Sequence, residues 1–100
     1  QDRKIMSRGG TVVIMLRVYK DSKRLMGNPD VLSRGLMYGS EEEAITKEVV
    51  ERTKKAYTDA VDKGDHDRKS LKRAINGALY RYFDKKLNRE PMVIPIIVEV

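Results

Sequence analysis

The chain has no cysteine, no tryptophan, one histidine and three prolines among its 100 residues. Without cysteine there is neither a disulfide framework nor a thiolate metal site, and the composition leans toward an intracellular, cytoplasmic setting. The single histidine, His66, stands between Asp65 and Asp67. Asp-His-Asp is rich in oxygen and nitrogen, but neighbouring side chains diverge, and a catalytic zinc site asks for about three well-spaced protein ligands. The stretch reads as a solvated interhelical loop, and no metal site is expected. A glycine-rich phosphate loop, an internal repeat, a low-complexity stretch and a signal-peptide pattern at Gln1–Gly10 are also missing. So is a long apolar run. The most apolar segment, EPMVIPIIVEV at 90–100, is broken by Pro95 and falls well short of the ~20 residues that span a membrane.

What is present is a globular composition, 40% apolar and 36% charged, with a net charge of +6. A chain of this length makes one domain that buries roughly 60–70% of its unfolded surface. A start at glutamine suggests a piece of something longer. Residues 1–9 then read as the end of a linker and 10–100 as the domain. Charge is unevenly placed: residues 1–39 carry +5, 40–67 carry −4 and 68–100 carry +5. The resulting pI near 9.7 permits nucleic acid as a partner without specifying one.

Gly10–Tyr19, rich in β-branched residues, predicts a strand. Residues 20–29 form a loop with Gly27-Asn28-Pro29 as its turn. A shorter strand follows at Val31–Tyr38, with Gly35 as a possible bulge. Ser40-Glu41-Glu42-Glu43 then marks a helix start, a capping serine followed by carboxylates facing the positive end of the dipole. Ile45, Val49, Thr53, Ala56 and Ala60 share one face of that helix, widened by Val50, Tyr57 and Val61. The pairs Glu43/Lys47, Glu48/Arg52 and Glu51/Lys55 lace its outer side, and Gly64 closes it as a left-handed cap. Asp65 or Asp67 caps a second helix running to about Arg89, with Leu71, Ala74, Ile75, Ala78, Leu79 and Tyr82 as its apolar stripe. Pro91 stops it, and the apolar tail is a third strand.

The order strand-strand-helix-helix-strand predicts an α+β, two-layer fold: a three-stranded mixed sheet with two helices packed on one face. Alternating directions make the third strand parallel to the first. Pro95 cannot donate to a ladder, so the third strand belongs at an edge and the first in the centre. If Val12, Ile14, Leu16 and Val18 face the helices with Met92, Ile94, Ile96 and Val98, then Val13, Met15, Val93 and Ile97 face away. Two helices cannot cover both faces. The remainder, rimmed by Arg17, Tyr19 and Glu99, would be an apolar patch of roughly a few hundred Å², the size that marks an interaction site.

Several stretches resemble a known family. Asp2-Arg3-Lys4 with Ser7 and Gly10 precede a hydrophobic strand, and Pro29-Asp30-Val31-Leu32-Ser33-Arg34-Gly35 runs into another. Arg89 is followed by Pro91-Met92-Val93-Ile94-Pro95 and a final Glu99-Val100. Together, over nearly the whole chain, these resemble the C-terminal domain of bacterial ribonuclease J. The resemblance implies a detached accessory α/β domain that supports oligomer assembly and activity. It also implies a parent enzyme that is a metal-dependent exo- and endoribonuclease acting in RNA processing and decay. That enzyme's zinc or other divalent metal would sit in catalytic domains ahead of this segment, with no cofactor in the segment itself.

The residues themselves offer no catalytic site, since the Glu41–Glu43 run is explained by capping. Arg34 has three readings that sequence does not separate: a buried ion pair, a partner-domain contact or a phosphate contact. On the second helix Lys69, Lys72, Arg73, Asn76 and Tyr80 lie on the outer face, where cations beside an aromatic suit single-stranded RNA. Arg81 and Lys85 lie round another side, and a solvated basic face is the plainer reading. Two functions follow. In the first, an assembly module buries Val13, Met15, Arg17, Val93 and Ile97 against a second copy or its own catalytic domains. In the second, a basic module delivers RNA to a nuclease.

Overall fold

The β-branched run Thr11–Val18 forms β1, the middle strand of a three-stranded sheet in a computed structural model that describes residues 10–35 and 41–100. Strand β2 (Asp30–Arg34) pairs with it antiparallel on one side, and β3 (Met92–Glu99) pairs parallel on the other. The expected mixed sheet with its first strand central is the one the chain makes. Helices α1 (Glu41–Asp62) and α2 (Arg68–Tyr82) cover one face. Val12, Ile14, Leu16 and Val18 of β1 are fully buried in a single core with Ile45, Val49 and Tyr57 of α1 and Leu71, Ile75 and Leu79 of α2.

Strand β2 begins one residue before the predicted start and reaches Arg34; the rest of the predicted stretch, residues 36–38, lies outside the described residues. Gly35 takes a positive φ of 72° and ends the strand rather than bulging it. The proposed Ser40 cap also lies outside the described residues. Beside Gly35 the chain comes very close to itself. Gly10 has φ +81°, and a Cβ there would lie 2.2 Å from the Arg34 carbonyl oxygen. Only glycine lets β1 begin against the end of β2.

Helix α1 buries Ile45, Val49, Thr53, Tyr57 and Ala60, one apolar stripe at three- and four-residue spacing. It ends as expected at Gly64, whose φ is +106°. The Asp65 amide donates to the Ala60 carbonyl and the Gly64 amide to that of Val61, both at 3.0 Å, which is a Schellman closure. Outside, Glu48 and Arg52 pair at 3.1 Å, but Lys55 turns to Asp59 rather than Glu51.

Of the two candidate caps for α2, Asp67 serves: its carboxylate accepts from the Ser70 amide at 3.2 Å. After Tyr82 the helix widens into a π-helical turn, Phe83–Leu87, and stops at Asn88 in the left-handed conformation, just short of the predicted end. The wider turn has a packing reason. On an uninterrupted helix of 3.6 residues per turn, Leu87 would lie about 160° from Leu71. In the structure Leu87 packs against the core.

Strand β3 departs from expectation in its facing. Val12 is opposite Val93 and Leu16 opposite Ile97, so paired residues share a face. Val93 is 5% exposed, Ile97 7%, and Pro95 is also buried. Ile94, Ile96 and Val98, expected inward, are 36–38% exposed. The reason lies in Pro95. The Met92 amide donates to the Gly10 carbonyl just ahead of β1, and the Val100 amide to that of Val18, so even-numbered amides of β3 point to β1 and odd-numbered ones to the open edge. Pro95 must be odd-set because it has no N–H to offer.

Candidate functional site

Two surfaces remain once the core is closed, and each is built by a different layer. The first is the outer face of the sheet. From β1 it carries Val13, Met15 and Arg17, and from β2 their partners Leu32 and Asp30, with Arg34 opposite Thr11. From β3 it carries Ile94, Ile96 and Val98. Leu32 is 64% exposed. Arg17 reaches diagonally to Asp30, Nη2 to Oδ2 at 2.6 Å.

Three of the five residues assigned to this face from sequence, Val13, Met15 and Arg17, are on it. Val93 and Ile97 are core residues and leave the set; Ile94, Ile96, Val98 and Leu32 take their place. Glu99 also leaves the expected rim. It is bound by Lys23 at 2.5 Å, close to Tyr57, whose hydroxyl donates to the Lys23 carbonyl at 2.7 Å. The hydrogen bond from Lys23 and its charge hold the Glu99 carboxyl below the usual carboxylate value. Burial, and then the Glu99 charge, raise the Tyr57 hydroxyl. Arg34 is exposed on the outer face, which does not support the buried-ion-pair reading.

The second surface is on the helical side. Of the five residues considered for RNA, Lys69, Arg73 and Tyr80 are exposed and Lys72 and Asn76 half-buried, with Asn76 Oδ1 enclosed and without a hydrogen-bond partner. The structure divides them. Arg73 lines a groove of about 610 Å³ between α1 and α2, and Lys69, Lys72 and Asn76 do not. Tyr80 lines a neighbouring cavity of about 570 Å³ with Arg89, Glu90 and Pro91. Arg81 lines both.

The groove has a floor of Ala56, Ala60, Ala74, Gly77 and Ala78. Its walls hold Arg52 and Lys55 from α1, Lys63 just past its end, Arg73 and Arg81 from α2, and Lys85 and Lys86 from the π-turn, against one carboxylate, Asp59. Arg52 also sits over the Tyr82 ring, 4.7 Å from its centroid. Burial raises the Tyr82 hydroxyl, the Glu48 charge raises it further, and the Arg52 charge opposes them. Sequence reasoning missed this groove because its cations come from two helices whose adjacency is tertiary. The available signal was the small-residue face Ala74/Gly77/Ala78, which lets helices approach.

His66 is exposed in the interhelical loop. Among the described residues no group of three or more His, Cys, Asp or Glu side chains is gathered as a metal site. No helix among the described residues is long and apolar enough to cross a membrane.

The architecture is that of a small two-layer α/β module with an apolar outer sheet face and a cationic groove between its helices. The ribonuclease J C-terminal domain matches residues 1–100, and the chain belongs to that family. It is 31% identical over 100 residues to ribonuclease J2 of Bacillus subtilis (strain 168), all of this chain and 18% of that protein. Ribonuclease J 1 of Streptococcus pyogenes serotype M3 is 30% identical over 98 residues, 98% of this chain and 18% of that protein. Ribonuclease J 2 of the same strain is 26% identical over 100 residues. The chain thus spans about 18% of the length of the curated relatives it matches.

Proposed function

We propose that this chain is the non-catalytic C-terminal accessory domain of a cytoplasmic ribonuclease J, and that it assembles the enzyme by burying the outer face of its sheet against a second copy of the same domain. Cleavage of RNA, and the divalent metal that supports it, belong to other parts of such an enzyme. The observation that carries this reading is the apolar outer face: Leu32 at 64% and Ile94, Ile96 and Val98 at 36–38% exposure, on the two edge strands to either side of Val13 and Met15 of β1.

A second copy fits this face for an electrostatic reason. Two chains of net charge +6 repel, and this face carries few charges. Those it carries include both signs, Arg17 and Asp30. An isologous interface is self-complementary, and a face that holds both signs side by side can meet its own copy without an excess of like charge. With strands about 4.8 Å apart and about 3.3 Å per residue, the face measures about 400 Å², half of what a partner contributes to a standard interface. The isolated domain should therefore associate weakly.

Sedimentation equilibrium of Gln1–Val100 tests this. Leu32→Asp with Ile96→Asp should stay folded by circular dichroism, since both charges reach water in the monomer, and should sediment as a monomer at every concentration. A folded double variant that associates as the native chain does would place the interface elsewhere and sink the reading.

A further inference from the structure

The groove between α1 and α2 is more than a solvated basic surface. Seven cations and one carboxylate line it. Among the described residues Lys63, Arg73, Arg81, Lys85 and Lys86 carry no ion pair. Like charges gathered along both walls repel one another, and of the seven only Arg52 and Lys55 are paired among the described residues, with Glu48 and Asp59. An anion would compensate the others.

The shape narrows the choice of anion. A volume of about 610 Å³ is within the ~300–1,000 Å³ of ligand clefts. The groove runs along the helices: from Arg52 to Ala60 on α1 is about 12 Å at 1.5 Å per residue, and Lys63 extends it past the helix end. Its floor of alanines and Gly77 lets a chain lie close to the helix backbones. At one end Arg81 turns the groove into the second cavity, where Tyr80, 43% exposed, stands near Pro91, and where Asp84 and Glu90 balance the charges of Arg81 and Arg89. A cationic track leading to an exposed ring is the arrangement that holds a single strand, with phosphates on the cations and a base stacked on the aromatic. A duplex is recognised across a wide shallow groove of its own and has no free base to give Tyr80.

We propose that the α1/α2 groove binds single-stranded RNA. Arg73, Arg81, Lys85 and Lys86 hold its phosphates, and Tyr80 stacks a base beyond Arg81. This site is on the helical layer and does not rest on the assembly reading. It differs from the stripe of Lys69, Lys72 and Asn76, which lies on the side of α2 that does not line the groove.

Fluorescence anisotropy with a labelled ten-nucleotide oligouridylate, on Gln1–Val100 at low salt, decides it. Arg81→Glu with Lys85→Glu should weaken binding at least tenfold. Gly77→Leu should weaken it at least fivefold. It changes no charge and improves helix propensity, while a Cβ at Gly77 points at the Arg81 guanidinium, 3.5 Å away, and a longer side chain there fills the groove. Tyr80→Ala should cost a further several-fold, and the salt slope should be about −2 to −3 for three to four phosphates. Lys69→Glu with Lys72→Glu, the same charge change outside the groove, should move affinity less than twofold. The proposal is overturned if that control pair weakens binding as much as the groove pair. It is also overturned if Gly77→Leu binds as the native chain does, if duplex RNA binds as well as the single strand, or if the native chain does not bind.

Discussion

Thr53 is fully buried on α1, and its hydroxyl has no hydrogen-bond partner. A buried hydroxyl left unmade is penalised by about 1–3 kcal/mol, whereas an apolar group of the same shape is not. Thr53→Val should therefore stabilise the domain by about 1 kcal/mol, read as a rise of about 4–8 °C in the thermal midpoint. An unchanged or lower midpoint would mean that the hydroxyl is satisfied in solution. Glu99 gives a second prediction at this scale, one of sign. Its folded-state pKa is depressed by Lys23, so its contribution to stability is fully present above the ordinary carboxylate pKa and is lost as pH falls through the lowered value. Glu99→Gln should be less stable than the native chain at pH 7, and urea midpoints of the two should converge as pH falls below the ordinary carboxylate range. A gap that stays constant with pH would show that the Lys23–Glu99 pair contributes nothing.

At the scale of the element, β3 decides what sequence could reveal. Val93→Asp or Ile97→Asp would bury a charge against the helices and should unfold the domain, a loss of more than about 3 kcal/mol visible by circular dichroism. Ile94→Asp should leave it folded. The reverse pattern would restore the facing that sequence alone suggested. That facing was misread because Met92–Val98 is apolar at every position, so it has no period-2 contrast to say which half is inside. Strand β1, nearly as apolar, was read correctly, yet nothing in the sequence tied its phase to that of β3. The information was present in another form. An edge proline must turn its nitrogen to solvent, and in an L-residue strand the direction of the N–H determines the face of the side chain. With a right-handed crossover, the rule for parallel neighbours, that face is the helical one, which puts Pro95, Val93 and Ile97 inside. Element order, the central strand, the α1 stripe and its Gly64 cap were legible because period, cap and turn residues are local. The groove of Arg73, Arg81 and Lys85 was not, because it exists only when two helices lie side by side.

The whole molecule has two layers and two unlike surfaces: an apolar sheet face with few charges, and a cationic groove on the helices. Salt should act on them in opposite senses. Ions screen phosphate contacts and also the repulsion between copies of net charge +6. Raising sodium chloride from 50 to 500 mM should abolish oligouridylate binding and leave self-association equal or stronger in sedimentation. If both weaken together, both depend on the same charges, and the division into two surfaces is wrong.

The pairing of β1 with β3 also imposes an order on events. Thr11 meets Met92, about 80 residues later in the chain. Closing a loop of that length costs about 4 kcal/mol of chain entropy beyond a constant, and no contact of β3 offsets it until the ends have met. Helices α1 and α2 can form locally and early, but they have only a two-stranded hairpin to sit on. Such a topology folds slowly for its size. A chain ending at Pro91 should keep helical circular dichroism yet melt without a cooperative transition. During synthesis, β1 must wait with one edge unpaired until Glu99 has left the ribosome, and for that interval the central strand is the part of the nascent chain most exposed to pairing with a neighbour.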